Sequence, residues 1–518
     1  MKCNKQNNKK LLQAVESLGN ALPHPVIIFI IFIAILLIFS AIGEYFDVTA
    51  IDPRPEGVKG RAEDGIIRVV NLLDADGIRK ILSNVVTNFT SFTPLGTVLV
   101  SLLGVGIAER SGLLSTVIRF LIIKSPRKLT TLSIVFAGIM SNAVAELGYV
   151  VLIPLSALIF HSLDRHPLAG LAAAFAGVSG GYSANLLLGA IDPLLSGITQ
   201  QAARIVDSSY VVGAEANWYF MFMSTFLITI IGYYVTEKIV EPQLGIYKEE
   251  QEITKINLPE ITSQEKKALM AVLVTFIVFL SFLLLSIFPE HSILRNQETR
   301  LISNSPFLAS IVVFICLFFS ILGMVYGFFA NTFKSLNDVV NAMEYSMSTL
   351  GLYLVITFFS SQFIAFFEWS NIGQIIAVYG ANFLNNINLS GWMLFIGFIL
   401  VCAFINLIIG SASAQWAITA PIFVPMLMLA GYSPEIVQAA YRIGDSVTNI
   451  ITPMMGYFGM IVAISMKYKK DTGVGTIISI MIPYSLFFLI GWSLFFCIWV
   501  FVFNFPVGPN SSTYYKLS

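Results

Sequence analysis

Charged residues are scarce in this 518-residue sequence, at 12% of the total, whereas soluble globular domains carry about 25%. The 30 basic and 30 acidic side chains cancel, so no excess charge is present to attract a nucleic acid or an acidic partner. In place of charge the chain has 56% hydrophobic residues and a mean hydropathy of +0.80. This composition excludes a water-soluble domain and predicts an all-α polytopic membrane protein.

Motifs for metal binding and nucleotide hydrolysis are also missing. The four cysteines are far apart and the four histidines form no H-E-x-x-H, so we expect no disulfide framework, metal or other cofactor. The chain has no G-x-x-x-x-G-K-[ST], which argues against ATP hydrolysis. A G-x-S-x-G match at 177–181 lies within an apolar helical pattern rather than after a strand, and does not indicate an esterase. We therefore expect a protein that is not an enzyme.

Apolar runs long enough to cross a bilayer occur nine times. The polar segment 1–25 before them lacks a short apolar region with a cleavage site, so the first run is a span rather than a signal peptide. Lysines in that segment and at 467–470 fall on the cytoplasmic side under the positive-inside rule, which places the loop 47–92 outside and the loop 237–267 inside. The predicted spans are 26–46, 94–123, 168–200, 218–236, 267–288, 306–330, 345–367, 436–463 and 475–502.

Two further apolar runs, 129–160 and 391–431, are each interrupted near the middle by small polar residues. Irregular backbone at membrane depth is tolerated only inside protein or beside a water-filled cavity. We therefore predict two re-entrant hairpins with tips at SNAVAE (141–146) and GSASAQ (410–415). The chain then divides into a cytoplasmic segment 1–25, first spans 26–123, a first repeat 129–200 with a hairpin and a broken helix, intervening spans 201–390, a second repeat 391–463 of the same kind, and a last span with the C-terminus, 475–518.

The segments that follow the two hairpins resemble each other. At an offset of 267 residues Pro167 pairs with Pro434, and four small residues pair as well. Because the predicted hairpins enter from opposite sides, the halves form inverted repeats, which are typical of secondary transporters with a binding site near the midplane. Chance similarity between two alanine- and glycine-rich helices is the alternative. The other pairs are Ala172 with Ala439, Ala173 with Ala440, Gly177 with Gly444, and Ser179 with Ser446.

The repeats differ where the second one carries charge. Phe175 and Val178 correspond to Arg442 and Asp445, and a charge at the bilayer centre costs roughly 3 kcal/mol on insertion scales. The two charged residues lie one turn apart on the same helix face. Two interpretations remain open, an intrahelical ion pair or a substrate- or ion-binding pair that faces a cavity.

Polar residues at the other breaks complete the candidate site. Pro453 frees the carbonyl of Asn449, and a free carbonyl near a carboxylate suits a cation. Asp192 precedes a proline and lies at an unwound point, where it either caps the following half-helix or faces the site. Half-helix N-termini at the hairpin tips present N–H groups suited to a carboxylate. Trp416 offers a flat face to an aromatic substrate, unless it is an interfacial tryptophan. The tips supply Ser141 and Asn142 in the first hairpin, and Ser411, Ser413, Gln415 and Trp416 in the second.

Three long segments resemble the AbgT family of bacterial p-aminobenzoyl-glutamate transporters and sulfonamide efflux proteins. They are SNAVAELGYVVLIPLSALIF, HPLAGLAAAFAGVSGGYSANLLLGAIDPLLSGITQQAA and SASAQWAITAPIFVPMLMLAGYSPEIVQAAYRIGDSVTNIITPMMGYFGMI. The resemblance covers essentially the whole chain. It implies a bowl-shaped homodimer in the bacterial inner membrane, with nine spans and two re-entrant hairpins per subunit and a cytoplasmic N-terminus. The family's functional positions fall here on Asp192, Ser413, Trp416, Pro434, Arg442, Asp445 and Pro453.

The resemblance and the residues together predict an ion-coupled secondary transporter of p-aminobenzoyl-glutamate, of sulfonamides, or of both. Arg442 is expected to bind the substrate's anionic group, Trp416 to stack on its ring, and Asp445 to carry a proton, because it is titratable. Sodium is the alternative ion, although the tips SNA (141–143) and SAS (411–413) depart from the Ser-Asn-Thr of distant dicarboxylate symporters. Rival functions are a sodium-coupled dicarboxylate importer, a passive channel, and an intramembrane hydrolase using Ser179 or Ser413. Further candidate ion ligands are Asp192, Asn449, Ser141 and Asn142.

Overall fold

The computed structural model describes residues 25–54, 61–123, 126, 129–143, 148–247, 261–289, 291–301, 305–387 and 390–516. Most of the predicted segment 1–25, residues 144–147 of the first predicted tip and residues 248–260 of the predicted loop 237–267 lie outside these residues. The described chain is almost entirely helical. Its one sheet is a two-stranded antiparallel ribbon of Thr49–Ile51 and Ile66–Arg68.

Eight helical segments of the described chain are long and apolar enough to cross a membrane. Several expose large apolar side chains, as Leu285 (73% exposed) does in a helix that is only 11% buried within the subunit. Such a surface is stable against lipid rather than water. The eight are Val26–Tyr45, Ala75–Arg110, Trp218–Leu244, Ser263–Ile287, Ile311–Phe329, Gly351–Trp369, Ala412–Leu429 and Val474–Val502.

Shorter helices account for most of the remaining chain. The predicted span 94–123 is two helices that meet at Gly112, whose φ of +86° suits glycine and turns the chain. The helix before it is Ala75–Thr90. Asp74 caps its N-terminus, because the Asp74 carboxylate accepts a hydrogen bond from the N–H of Gly77 (2.6 Å). The segment Ala75–Arg110 consists of the two helices Ala75–Thr90 and Thr93–Arg110, and the other helices outside the two repeats are Leu113–Ile123, Pro306–Ala309, Leu336–Ser348 and Ile372–Asn386.

Two groups of short helices have the same arrangement. In each group a pair of helices forms a hairpin, and the first half of a broken helix packs against both of its arms. Hairpin 1 is Thr130–Ser141 and Gly148–Ser162, and broken helix 1 is Pro167–Gly180 and Ile191–Ala203. Hairpin 2 is Gly391–Asn406 and Ala412–Leu429, and broken helix 2 is Pro434–Thr448 and Phe458–Met466.

A pair of equivalent glycines shows that the two groups are packed alike. A Cβ atom at Gly177 would lie 2.4 Å from the carbonyl oxygen of Val135, in the first arm of hairpin 1. A Cβ atom at Gly444 would lie 2.6 Å from the carbonyl oxygen of Ile399, in the first arm of hairpin 2. Both distances are too short for any side chain, so each broken helix approaches its hairpin closely at the residue that the sequence pairing matched.

The two broken helices run in opposite directions. Four hydrogen bonds join the two broken helices or residues close to them. From one bond to the next, the residue numbers rise on the side of the first repeat and fall on the side of the second. Opposite directions are what inverted repeats require. The bonds join the N–H of Ser183 to Ser446 Oγ (3.2 Å), Arg442 to Asp192 (2.5 Å), Thr199 Oγ1 to Gln438 Oε1 (2.6 Å), and Asn217 Nδ2 to the carbonyl oxygen of Glu435 (2.8 Å).

The segment after the Val474–Val502 helix connects the ends of both repeats. The N–H of Ser433, at the start of broken helix 2, donates to the carbonyl oxygen of Thr513 (3.2 Å). The N–H of Phe220, shortly after broken helix 1, donates to the carbonyl oxygen of Val507 (3.0 Å). Backbone bonds of this kind do not depend on side-chain identity, so the segment 503–516 ties together chain regions that are far apart in sequence.

Candidate functional site

Both hairpin tips and both helix breaks face one cavity of about 400 Å³. Each tip also packs on the break of its own repeat. A Cβ atom at Gly189 would lie 3.2 Å from the Cα of Ala143, and one at Gly410 would lie 2.8 Å from the carbonyl carbon of Met454. The cavity is lined by Asn142 from tip 1, Tyr182, Ala190 and Ile191 from break 1, Gly410–Ser413 from tip 2, and Asn449, Met455, Gly456 and Tyr457 from break 2.

An ion pair crosses between the repeats behind the wall of this cavity. Arg442 Nη2 donates to Asp192 Oδ1 at 2.5 Å, and the two side chains are 1% and 10% exposed. The second oxygen of Asp192 accepts the N–H of Gly189 (2.7 Å), just before the helix Ile191–Ala203. Asp192 is the second residue of the helix Ile191–Ala203 rather than part of an unwound point, so it does not cap this helix as the sequence suggested. Its carboxylate joins Gly189, just before the helix, to the second repeat, and its role in a binding site stays a prediction. The interpretation of Arg442 as the partner of Asp445 is wrong in this structure, since its ion pair is with Asp192.

Asp445 is one of several buried polar side chains at the site that lack a hydrogen bond of normal geometry. It is 1% exposed, and its two carboxylate oxygens have no such partner among the described residues, although the Asn449 side chain lies close enough to interact with it. Both side-chain polar atoms of Asn142, which lines the cavity, are buried without a partner as well. Buried polar atoms nearly always have partners, so a carboxylate of this kind points to a ligand, ion or proton. The Nε of Arg442 is also buried without a partner among the described residues. Those residues include no group of three or more His, Cys, Asp or Glu side chains arranged to hold a metal ion.

Asn406 fixes the end of broken helix 2 next to Asp445. Its Nδ2 donates to the carbonyl oxygen of Asp445 (2.7 Å) and to Asn449 Oδ1 (2.8 Å). Broken helix 2 stops its regular hydrogen bonding at Thr448, and Pro453 within the break has no N–H to continue it. Asn449, which lines the cavity, is therefore held in a defined orientation by hairpin 2.

The second arm of hairpin 2 starts at the cavity. Its helix begins at Ala412, and Ser411, Ala412 and Ser413 all line the cavity. The first N–H groups of an α-helix have no partner within the helix and carry the positive end of its dipole. Tyr441 fixes this terminus, because its hydroxyl donates to the carbonyl oxygen of Ala412 (2.5 Å). The tip thus presents to the cavity N–H groups of the kind that bind anions, and anion binding there stays a prediction.

Trp416 does not face the cavity. Its side chain is fully buried, its Nε1–H donates to Thr199 Oγ1 (2.9 Å), and its ring stacks on Tyr441 at 4.2 Å between centroids and 22° between planes. The aromatic side chains that do line the cavity are Tyr149, Tyr182, Tyr353 and Tyr457. None of them was selected from the sequence, although two stand beside glycines at the ends of the breaks.

The other predicted residues lie at varying distances from the cavity. Asn142, Ser413 and Asn449 line it. Ser141 is buried and donates to the carbonyl oxygen of Gly138 (2.6 Å). Pro453 lies in break 2 but not on the cavity wall, and Pro434 begins broken helix 2, eight residues or about 12 Å along the axis from Arg442.

The two broken helices begin at different caps outside their membrane-spanning parts. His166 precedes Pro167, and its Nδ1 accepts the N–H of Leu168 (3.2 Å). Burial, together with the charge of Lys469, lowers the pKa of His166 to about 4, against a smaller opposing effect of Glu241. The equivalent position before Pro434 is Ser433, which does not titrate. The acceptor at the first cap is therefore the neutral imidazole near pH 7.

Two inverted repeats whose broken helices meet at a buried polar site place this chain in the class of membrane transport proteins. The chain belongs to the AbgT putative transporter family, whose model matches residues 10–515. It is 36% identical over 502 residues to the p-aminobenzoyl-glutamate transport protein of Escherichia coli strain K12, covering 97% of this chain and 96% of that protein.

Two solved structures share the fold. MtrF of Neisseria gonorrhoeae, described as illuminating a class of antimetabolite efflux pumps, is 66% identical with a TM-score of 0.91, covering 97% of this chain and 100% of that chain. The YdaH transporter of Alcanivorax borkumensis, described as having an unusual topology, is 42% identical with a TM-score of 0.88, covering 94% of this chain and 100% of that chain. The predicted family and helical membrane fold are thereby confirmed.

Proposed function

We propose that this protein is an ion-coupled secondary transporter of small aromatic carboxylates such as p-aminobenzoyl-glutamate, and of sulfonamide-type antimetabolites. The observation that carries the proposal is the cavity where the tips and breaks of both repeats meet, with the Arg442–Asp192 pair behind its wall. The names of the Escherichia coli relative and of MtrF supply the substrate class.

The anionic end of the substrate binds at two places in this scheme. The N-terminus of the Ala412–Leu429 helix, with Ser413, offers N–H and hydroxyl donors. Arg442 contributes a guanidinium that has five N–H donors and gives one of them to Asp192. Because its Nε has no partner among the described residues, Arg442 can hold Asp192 and a ligand carboxylate together, which couples ligand binding to the contact between repeats.

Asp445 carries the coupling ion in this scheme. Its carboxylate is buried and lacks a hydrogen bond of normal geometry among the described residues, and it lies one turn before Asn449, which lines the cavity. A proton is our first choice because it satisfies the carboxylate without further ligands. Sodium is the alternative, with oxygen ligands from Asn449 or Asp192 at the same breaks.

Membership of the family and the apolar helices support a proposal about location and assembly. We propose that the protein lies in the bacterial inner membrane with its N-terminus in the cytoplasm, as a homodimer. We also propose that it has no catalytic activity. Ser179, one of the two serines considered for a hydrolase, is fully buried, and its hydroxyl contacts Tyr149 and Met455 rather than a general base.

Flux into proteoliposomes tests the proposal. The purified full chain is reconstituted, and uptake of p-aminobenzoyl-glutamate is measured with a pH gradient alone, a sodium gradient alone, and neither, in both directions. We expect accumulation above equilibrium with the pH gradient. Asp445→Asn should abolish gradient-driven accumulation while it preserves substrate exchange at equal ion concentrations. Full gradient-driven accumulation by Asp445→Asn would show that the coupling group lies elsewhere.

The same vesicles separate the rival functions. Accumulation driven only by sodium, with dicarboxylates as the better substrates, would favour the importer. Dissipation of a substrate gradient without any uphill movement would indicate a passive channel. Release of p-aminobenzoate from p-aminobenzoyl-glutamate by the purified chain would indicate a hydrolase.

A further inference from the structure

One aromatic pair bridges the two repeats at the cavity wall. Tyr149, from the returning arm of hairpin 1, stacks on Tyr457, at the end of break 2, with 4.5 Å between ring centroids and 12° between planes. Both residues line the cavity. Tyr149 is 7% exposed and Tyr457 is half-buried. Tyr149 therefore lies behind Tyr457, and Tyr457 is the more accessible of the two rings.

Polar contacts hold this pair in place from behind. The Tyr149 hydroxyl and Ser179 Oγ share a hydrogen bond of 2.7 Å. Ser179 Oγ also lies 2.9 Å from Met455 Sδ, in the same break as Tyr457. A ring that is already fixed loses little conformational freedom when a ligand stacks on it. The pair is therefore a pre-formed flat surface.

The cavity reaches Tyr457 next to Gly456. Gly456 lines the cavity and is exposed, and a Cβ atom added there would meet no described atom within 4 Å apart from its two chain neighbours. The other stacked aromatic pair at the site, Trp416 on Tyr441, is buried completely and has no face on the cavity. An aromatic ligand in the cavity can thus contact Tyr457 but not Trp416. Tyr182 and Tyr353 also line the cavity and are half-buried, but Tyr457 is the cavity tyrosine that a second ring from the opposite repeat holds in place.

We propose that Tyr457, backed by Tyr149, is the surface on which the aromatic ring of the substrate stacks. This inference rests on the proposed function and adds the position of the ring subsite. The anionic end of the same ligand then extends toward Ser413 and the N-terminus of the Ala412–Leu429 helix, which line the same cavity. Because Tyr149 and Tyr457 belong to opposite repeats, the ligand contacts both halves through one aromatic surface.

The test compares two ligands that differ only in whether the ring is aromatic. Dissociation constants of benzoyl-glutamate and of cyclohexanecarbonyl-glutamate are measured for the purified full chain by calorimetry. The wild type should prefer the aromatic ligand roughly 2- to 10-fold, the range of aromatic pair energies. Tyr457→Leu should bring this ratio close to one, and Tyr457→Phe should retain it. The matched control is Tyr234→Leu, because Tyr234 is half-exposed on a membrane-spanning helix away from the cavity.

A second variant keeps the inference testable if Tyr457→Leu does not fold. Gly456→Leu adds a side chain at the cavity wall where a Cβ atom meets no described atom within 4 Å apart from its chain neighbours, so the protein should remain folded while binding of both ligands weakens. An unchanged ratio in folded Tyr457→Leu, or unchanged affinities in Gly456→Leu, would overturn the ring subsite and leave the transport proposal intact. A wild type that binds neither ligand would instead refute the proposed function together with the subsite.

Discussion

The two repeats of this protein share a backbone plan but not a chemistry. At equivalent positions the first repeat buries Phe175 and Val178, which are both 0% exposed, and the second buries Arg442 and Asp445, which are both 1% exposed. Gly177 and Gly444 make the same close approach to their hairpins. The packing therefore does not require the charges, and their presence in one copy only marks that copy as the bearer of the polar chemistry.

The first repeat supplies the counter-charge instead. Its Asp192, at the start of the second half of broken helix 1, is the partner of Arg442. The backbone also differs between the copies, because the first half of broken helix 1 ends in a π-helical turn, Ala176–Gly180, while Pro434–Thr448 remains α-helical. Such turns are frequent at functional sites. The comparison shows that the site belongs to neither repeat alone.

Copying a charge into the first repeat should have the largest effect. Val178→Asp places a carboxylate in a fully apolar position without a cation beside it, at an expected cost of more than about 4 kcal/mol. We expect little folded protein, measured as the monodisperse fraction after purification. Val178→Ala is the matched control and should remain largely folded. If the two variants behaved alike, the two repeats would be interchangeable at this position.

Breaking the ion pair between repeats should come next. Arg442→Met leaves Asp192 buried and unpaired, which costs roughly 3–5 kcal/mol, whereas replacing both partners with apolar residues is often close to neutral. We expect a lower thermal unfolding temperature for Arg442→Met and recovery of most of the loss in Arg442→Met/Asp192→Leu. Transport should be absent from both. A double variant no more stable than the single one would argue against direct coupling of the two side chains.

Adding a methyl group at the equivalent glycines should have smaller and matched effects. Gly177→Ala and Gly444→Ala each push a Cβ atom into a hairpin carbonyl, and overpacking of this kind costs about 1–3 kcal/mol. The two decreases in unfolding temperature should be similar. Gly459→Ala is the control, since a Cβ atom there meets nothing within 4 Å. Clearly unequal decreases would show that the hairpins are packed differently.

Acid should destabilise the start of broken helix 1 but not the start of broken helix 2, where burial raises the pKa of Glu435 to about 7. The folded protein holds His166 neutral with a pKa of about 4, while an unfolded histidine titrates near 6.5. His166 therefore binds more protons in the unfolded chain between these values, and its contribution to stability falls by about 2 kcal/mol as pH drops from 7 to 5. His166→Ser, which copies the residue before Pro434, should therefore lose less unfolding temperature than the wild type over that range. An identical loss would place the titrating group elsewhere.

The sequence predicted the helix breaks and the equivalent points of the repeats best, because glycine and proline act on the backbone at their own position. Glycines and prolines punctuate both broken helices, and Gly177 and Gly444 marked the equivalent points of the repeats. The partner of Arg442 could not be predicted, because helical spacing favours Asp445 three residues away over Asp192 in the other repeat. The orientation of Trp416 depends on its packing against Tyr441 and Thr199, which sequence periodicity does not specify. The cavity itself exists only after four separate segments have come together.

The segment 503–516 has a consequence for biosynthesis. It follows the Val474–Val502 helix, yet its backbone bonds reach Phe220 beside the first repeat and Ser433 beside the second. During translation both repeats emerge before it does. The connection between their ends is therefore completed only after the hairpins and broken helices have entered the bilayer. Each repeat must reach the membrane before the segment 503–516 can join it to the other.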